Sequence, residues 1–387
     1  MSVDSGLSGG VAIVGIGQTA YGKLPGRSAW SLQAEAISAA AADAGLAPSD
    51  IDGLFTESQF SEPLLMHGAA LGRQLGMRPA YLSTQSQGGA TCNSLAMTAA
   101  MAIQHGLCNV AVVVYGDNAK TGMPNIHGLA QMGRGQADFV AHGLLGGPAM
   151  EGLSAMRYKH TYGVSDEEFG AVPVTFRKHA ALNPAAQYRD QLSLGEYLES
   201  RYIAEPLRLY DCTISSDGGA AIVLASADRA GDLRPGGVAI LGAGQGHNLN
   251  GLEDRDHYVR FGGERAARTA FAMAGIGPAD VDCAQLYDCF TSTVLITLED
   301  YGFCARGEAG AFAADGNLEL GGPLPTNTSG GMLSEANMTG WGQVIEAVRQ
   351  LRGDAGERQV DGCEIAVTSG HGGFQATHAT MVLGKAA

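Results

Sequence analysis

Two stretches of the chain repeat each other at nearly constant spacing, and any fold must accommodate both copies. VAIVGIGQ (11–18) reappears as VAILGAGQ (238–245), and AGLAPSDID (44–52) as AGIGPADVD (274–282), so the copies start 227 and 230 residues apart. The first pair are short apolar runs ending in a glycine turn, the pattern of buried strands. The second pair each follow an Ala-rich helical stretch, SLQAEAISAAAADAG or RAARTAFAMAG. Each then shows a helix stop at Gly, a Pro, and a strand. A weaker third pair sets Gly88-Gly89 before ATCNSLAMTAAMAIQHG and the strand NVAVVVYG, and Gly330-Gly331 before MLSEANMTGWGQVIEAVRQLRG and the strand CEIAVTSG. Each half reads strand, helix, strand, long loop, glycine-opened helix, strand. The alternation predicts α/β sheets, and the duplication predicts two similar halves related by a pseudo-twofold axis. No 20–50-residue period is present, which excludes a solenoid.

The segment between the halves is more polar, with helix-like stretches MEGLSAMRYKHTYG and SDEEFGAVPVTFRKHAALN. It reads as a loop domain, 117–205, lying over the first half. The run YDCTISSDGGAAIVLASADRA (210–230) then closes that half with the buried strand AAIVLA. The expected units are 1–116 with 206–232, 117–205, and 233–387. Glycine is 57 of 387 residues, roughly twice the usual share. It has no period of three, which excludes collagen, and 45% hydrophobic residues exclude disorder. No apolar run reaches the length of a membrane span. The glycines are left to serve tight turns and backbone-lined sites. Lys and Arg number 24 against 39 Asp and Glu, a net charge of −15, so no global field attracts nucleic acid. Seven cysteines without a CxxC argue against a disulfide framework or a zinc ribbon. The start, MSVDSGLSGG, lacks the basic and apolar regions of a secretory signal, so a cytoplasmic location is expected. G-x-G occurs in VAIVGIGQTAYG without a third glycine, and no P-loop is present, which argues against nucleotide cradles.

Four further stretches carry a family resemblance: SSDGGAAIVLAS (215–226), YDCFTS (287–292), NTSGGMLSEAN (327–337) and TSGHGG (368–373). Together with the duplication, they resemble the thiolase superfamily over nearly the whole chain. YDCFTS is similar to the HDCF motif of sterol-carrier-protein-X-type thiolases. The resemblance implies a duplicated αβαβα five-layer fold with an inserted loop domain that handles coenzyme A, and a homodimer. It also shows what has changed. The nucleophilic cysteine of a thiolase falls at Gly89, the histidine that activates it at Asn337, the second catalytic cysteine at Thr368, and the HDCF histidine at Tyr287. The acyl-transfer side chains are gone. The backbone N–H groups that form an oxyanion hole map to Gly89 and Gly370, and such donors need no particular side chain. A site that holds a thioester enolate without a nucleophile suits retro-aldol cleavage. This pattern resembles the lipid-transfer-protein-type aldolases, which lack the cysteine and carry a Tyr in YDCF. Members of that group carry a second Tyr at the position of Asn337, which this chain lacks. They often work with a small partner carrying an OB-fold and zinc ribbon, a module absent from this chain.

The implied function is a carbon–carbon lyase cleaving a β-hydroxyacyl-CoA, with a steroid side-chain thioester as the inherited substrate body, into a ketone or aldehyde and a shorter acyl-CoA. Tyr287 donates or relays a proton, or packs its ring at a strand end. Asn337 donates a hydrogen bond to a carbonyl or hydroxyl, or merely reshapes the pocket. His371, between glycines, is a general base or a solvated turn residue. Asp288 and Asp217 read as turn braces. Arg157, Lys159, Arg177, Lys178 and Arg189 gather in the loop domain, and Arg177 and Lys178 are candidates for coenzyme A phosphates or part of an ordinary solvated face. Two alternatives are an acyltransferase using Cys92, three residues into the Gly89 helix, and a non-catalytic acyl-CoA-binding scaffold. The expected ligand is the acyl-CoA substrate alone, with no metal or redox cofactor.

Overall fold

The computed structural model describes residues 7–59, 61–62, 66–122, 141–144, 146–233, 237–248, 258–374 and 376–385. Residues 1–6, on which the reading of no secretory signal partly rests, and 123–140 of the expected loop domain lie outside the described residues. The first half runs β1 (Val11–Gln18), α1 (Ala29–Asp43), β2 (Gly53–Glu57), α2 (His67–Gln74), β3 (Tyr81–Gln85), α3 (Thr91–Gln104) and β4 (Val110–Asp117). Helices α4 (Gly146–Tyr162), α5 (Asp166–Ala181) and α6 (Leu194–Glu199) follow, with short strands β5 (Tyr202–Ala204) and β6 (Leu207–Arg208). Strand β7 (Gly218–Ser226) closes the first half. The second half runs β8 (Val238–His247), α7 (Gly263–Ala274), β9 (Cys283–Gln285), α8 (Thr291–Asp300), α9 (Ala309–Ala314), α10 (Gly331–Ser334), α11 (Trp341–Arg352), β10 (Ile365–Gly372) and β11 (Thr377–Lys385).

Nine of the described strands form one mixed sheet ordered β3-β2-β4-β7-β1-β8-β11-β10-β9, and β5 pairs with β6 apart from it. The halves mirror each other about the β1–β8 seam, where Ala12 faces Ala239 and Ile13 faces Val238. Alternate residues of each strand point to opposite layers. Val11, Ile13, Ala111, Val113, Ile222 and Leu224 meet α3 and α11 in a central core that Ile240, Met381 and Leu383 complete from the second half. Ala12, Val14, Val112, Val114 and Val223 pack outward on α1. Val367 and Val382 of the second half pack outward with Ala267, Ala270 and Phe271 of α7. The layers are thus helix, half-sheet, paired central helices, half-sheet, helix.

The repeat survives at atomic detail. Each outer helix ends at a glycine in the left-handed region, Gly45 (φ 74°) and Gly275 (φ 72°). Asp50 Oδ2 then accepts the Ala47 N–H at 2.8 Å, and Asp280 Oδ2 accepts the Gly277 N–H at 2.8 Å. Two residues on, Asp52 Oδ1 accepts the N–H groups of Asn109 and Val110, each at 2.8 Å. Asp282 Oδ2 does the same for Glu364 and Ile365, at 2.9 and 2.8 Å. Each aspartate pins the start of the neighbouring parallel strand. The strand glycines have an equally physical role. A Cβ at Gly17 would overlap the α1 backbone at Ala36 and Ala40, and one at Gly244 would overlap the Ala266 carbonyl of α7.

Two expectations are corrected. The inserted helices α4 and α5 lie against the second half, not over the first. Phe169, Val172 and Phe176 share one face of α5, and that face is buried with Phe261, Leu295 and Leu298. The stretch after Gly330-Gly331 is also not one helix. Helix α10 stops at Ser334, and the second central helix opens at Gly340 (φ 90°), preceded by Thr339 at φ 49°. The intervening turn carries Asn337 and Thr339 into the interior between the halves.

Gly244→Ala therefore lowers stability by about 1–3 kcal/mol through overpacking against the helix backbone. Gly321→Ala, where an added Cβ meets nothing within 4 Å, stays within about 0.5 kcal/mol. Denaturant midpoints measure both, and equal midpoints would contradict the close-packing role.

Candidate active site

A cavity of about 270 Å³ opens between the halves, lined by Gly88, Gly89, Tyr287, Asn337, Thr339 and His371, with Glu151, Met150, Cys289 and Phe290. Its floor is backbone against backbone. Gly88 turns at φ 57° before α3. A Cβ at Gly370 would sit 2.5 Å from the Gly89 carbonyl oxygen, and one at Gly372 would overlap that of Gln87. The two positions expected to form the oxyanion hole are thus adjacent, and neither tolerates a side chain.

Tyr287 follows β9, its N–H donating to Ser369 Oγ at 2.8 Å. Its ring lies directly over Gly89, where any side chain at that position would overlap it, and beside Gly340, whose added Cβ would be 3.3 Å from Cδ2. The phenol occupies the space that a nucleophile at position 89 would need. Burial, then the neighbouring Cys289, Glu57, Asp288 and Glu151, holds its pKa well above the ordinary tyrosine value. It is a neutral hydrogen-bond donor across the working pH range.

His371 lies on β10, buried, with its ring 4.6 Å from Phe261 and 6.3 Å from Tyr287. Its Nε2 is 4.0 Å from Oε1 of the buried Glu151 on α4. Asn337 donates its N–H to Ser216 Oγ at 3.0 Å, and its Oδ1 accepts the Thr339 N–H at 3.3 Å. That side-chain turn, with the left-handed Thr339, sets both residues on the cavity wall. Thr339 Oγ1 donates to Oε2 of Glu57 at 3.3 Å, and Trp341 Nε1 donates to the same oxygen at 2.8 Å. Glu57 ends β2 and is almost fully buried.

The aspartates are braces, as expected. Asp288 accepts the Met332 and Leu333 N–H groups at 2.9 and 3.2 Å and the Gln343 amide at 2.7 Å. Asp217 accepts the N–H groups of Leu24 and Lys120 at 2.8 and 2.7 Å. Cys92 is buried in the central core among Leu95, Ala96 and Val344, away from the cavity wall. Burial raises its thiol pKa well above the usual value, and Glu57 adds to that rise. The displaced-nucleophile alternative has no thiolate at the cavity to act with. Arg177 and Lys178 are not brought to this cavity. Arg177 is buried, its Nε donating to Ser334 Oγ at 2.9 Å, with its guanidinium over the Tyr188 and Tyr210 rings. Lys178 pairs with Glu319 at 2.6 Å on the exposed face. Among the described residues, no group of three or more His, Cys, Asp or Glu is arranged to hold a metal ion, and no helix is long and apolar enough to cross a membrane.

Glu57, Thr339, Glu151 and Cys289 were not among the candidates. The one available signal was for Glu57. A carboxylate at the carboxyl end of an otherwise apolar strand stands where α/β sheets place their ligands. Iodoacetamide treatment of the folded protein leaves Cys92, Cys283 and Cys363 unmodified while partly exposed Cys212 and Cys304 react first. Peptide mass spectrometry reads this, and labelling of native Cys92 would overturn its placement in the core.

Comparison with known proteins agrees with this geometry. Residues 244–385 match the family described as thiolase C-terminal domain-like. The chain is 41% identical to a steroid side-chain-cleaving aldolase of Thermomonospora curvata, over 95% of this chain and 96% of that protein. It is 40% identical to a 17-hydroxy-3-oxo-4-pregnene-20-carboxyl-CoA lyase of Mycobacterium tuberculosis, over 95% and 97%. The solved structure of an Ltp2-ChsH2(DUF35) aldolase superposes with a TM-score of 0.90 at 37% identity, covering 99% of each chain. The chain belongs to the thiolase superfamily, in the branch of thiolase-like aldolases that act as carbon–carbon lyases.

Proposed function

We propose that the cavity cleaves a β-hydroxyacyl-CoA by a retro-aldol reaction. The observation that carries this reading is the Tyr287 ring filling the space over Gly89, which excludes a covalent acyl-enzyme there. The proton leaves the β-hydroxyl oxygen, the Cα–Cβ pair flows into the thioester as an enolate, and Cβ departs as a ketone or aldehyde. His371, backed by Glu151, takes the hydroxyl proton. Tyr287 and Asn337 donate hydrogen bonds to the oxygen on Cβ. The N–H groups of Gly89 and Gly370 hold the enolate oxygen, and protonation at Cα releases the shorter acyl-CoA. Coenzyme A enters as part of the substrate. The activities of the two relatives support a steroid side-chain thioester as the substrate body, and the pairing of Ltp2 with ChsH2(DUF35) in the aldolase structure supports a smaller partner protein.

A homodimer is supported by strand β3, which ends the sheet order with its far edge unpaired among the described residues. Leu82 on it is 41% exposed, and Met66 beside it 73%. A free edge with exposed apolar side chains is a template for pairing with a second copy. Light scattering should give twice the 39.8 kDa chain mass, and Leu82→Arg should shift the protein to monomer. A wild-type monomer would overturn the dimer.

Tyr287→Phe lowers turnover of a β-hydroxyacyl-CoA by about 100- to 1,000-fold, because the positioned phenol donor is lost. Cys92→Ala keeps most of the activity. Product acyl-CoA and carbonyl compound, followed by mass spectrometry with any co-purifying partner present, read both. Unchanged turnover in Tyr287→Phe would reject the mechanism.

A further inference from the structure

The retro-aldol reading leaves one chemical need unassigned, the proton that must reach Cα of the enolate. Tyr287 is ill suited to that transfer, since its high pKa opposes release of its proton to the enolate at neutral pH. Behind Thr339 of the cavity wall, the structure holds a buried acid, Glu57. Glu57 lies at the end of β2 with its carboxylate 1% exposed, and its Oε2 receives the Trp341 indole at 2.8 Å and the Thr339 hydroxyl at 3.3 Å. Glu57 also meets the Thr91 hydroxyl, two residues beyond Gly89. One first-half carboxyl thereby meets Thr91, which opens α3 just after the Gly88-Gly89 turn, and Thr339 of the 337–340 turn. Thr339 is held at φ 49°, a conformation a β-branched residue adopts only under local constraint, and it lines the cavity while its hydroxyl reaches Glu57.

We propose that Glu57 and Thr339 form a proton relay from the interior of the first half into the cavity, delivering the proton that converts the thioester enolate to the shorter acyl-CoA. With Glu57 protonated on Oε2, the 3.3 Å contact runs from the carboxyl to Thr339 Oγ, and Thr339 Oγ passes its own proton to Cα, forming the C–H bond as it takes the one from Glu57. Glu57 is left as a carboxylate. The proton released from the β-hydroxyl to His371 returns to Glu57 through solvent, so turnover consumes no net proton. Thr339 contacts the reacting carbon, and Glu57 acts through it.

The surroundings of Glu57 suit an acid of this kind. Burial pushes its pKa up to about 8 against the hydrogen bonds from Trp341, Thr91 and Thr339, and Asp117 on β4 adds to the rise. Tyr115 on β4, Cys92 on α3 and Tyr287 after β9 also face it, and each is itself neutral because burial raises its pKa. A raised carboxyl pKa means the acid form prevails below about 8. Proton delivery is therefore present at neutral pH and is lost as pH rises through that value.

The relay rests on the retro-aldol reading, and the half-reaction of α-proton exchange tests the two separately. The full chain, with any co-purifying partner, is incubated with propionyl-CoA in deuterium oxide, and loss of the α-proton signal is followed by NMR. The wild type exchanges, with a rate that rises with pH and levels off above about 8, because removal of the α-proton runs the relay in reverse and needs Glu57 as the carboxylate. Glu57→Gln slows exchange by about 100-fold and removes that rise. Thr339→Val slows it comparably, and Thr339→Ser restores it. Because Thr339 is only partly buried, its variants keep the test open if Glu57→Gln does not fold. Exchange by the wild type, with both Glu57→Gln and Thr339→Val as fast, would overturn the relay alone. No exchange by the wild type would overturn the retro-aldol reading and the relay together.

Discussion

The contact between the Tyr287 ring and the Cα of Gly89 organises the site. Position 89 opens a central helix, where a cysteine would find its thiolate stabilised by the helix N-terminus. With Tyr287 laid over it, no side chain fits, and the ring is in turn confined by Gly340 on the far side. Gly370 is equally constrained by the Gly89 carbonyl. One aromatic side chain and three glycines from four separate segments thus define a closely packed floor with no room for a side chain at position 89. The rest of the fold serves to bring those four segments together.

That assembly was readable from the repeat because the repeated residues act on backbone. Asp52 and Asp282 bind strand amides, and Gly45 and Gly275 end helices in the left-handed region. Such duties tolerate little substitution of residue type, so the two copies stay recognisable in sequence. The juxtaposition of Tyr287, Asn337, His371, Gly89 and Gly370 followed from motifs whose spacing the fold preserves. The break between α10 and α11 was barely visible. In MLSEANMTGWGQVIEAVRQLRG only the glycines of NMTGWG mark it, and the turn also carries a hydrogen bond from Thr339 to Glu57, 282 residues away.

The side of the second half covered by α4 and α5 escaped for a related reason. An amphipathic face such as Phe169, Val172 and Phe176 declares that it will be buried without naming its partner. The basic residues Arg177 and Lys178 lie away from the cavity between the halves. Arg177 looks like a phosphate ligand by residue type, yet its guanidinium is committed to Ser334 and two tyrosine rings, while Lys178 is neutralised by Glu319. Long-range pairing decides such residues, and composition carries no record of it.

The chemistry changes less than the loss of every acyl-transfer side chain suggests. Claisen and aldol cleavage both break the bond between Cα and Cβ of an acyl thioester, and both leave the same enolate. What differs is the group on Cβ. A ketone needs a nucleophile to accept it as an acyl group, whereas a hydroxyl needs only a base, since its own oxygen becomes the carbonyl. A site that keeps its backbone donors for the enolate and gives up its nucleophile has therefore exchanged one half of the reaction while retaining the other. Tyr287 fills the vacated space, and its placement requires the glycine at position 89, because any side chain there would displace the phenol.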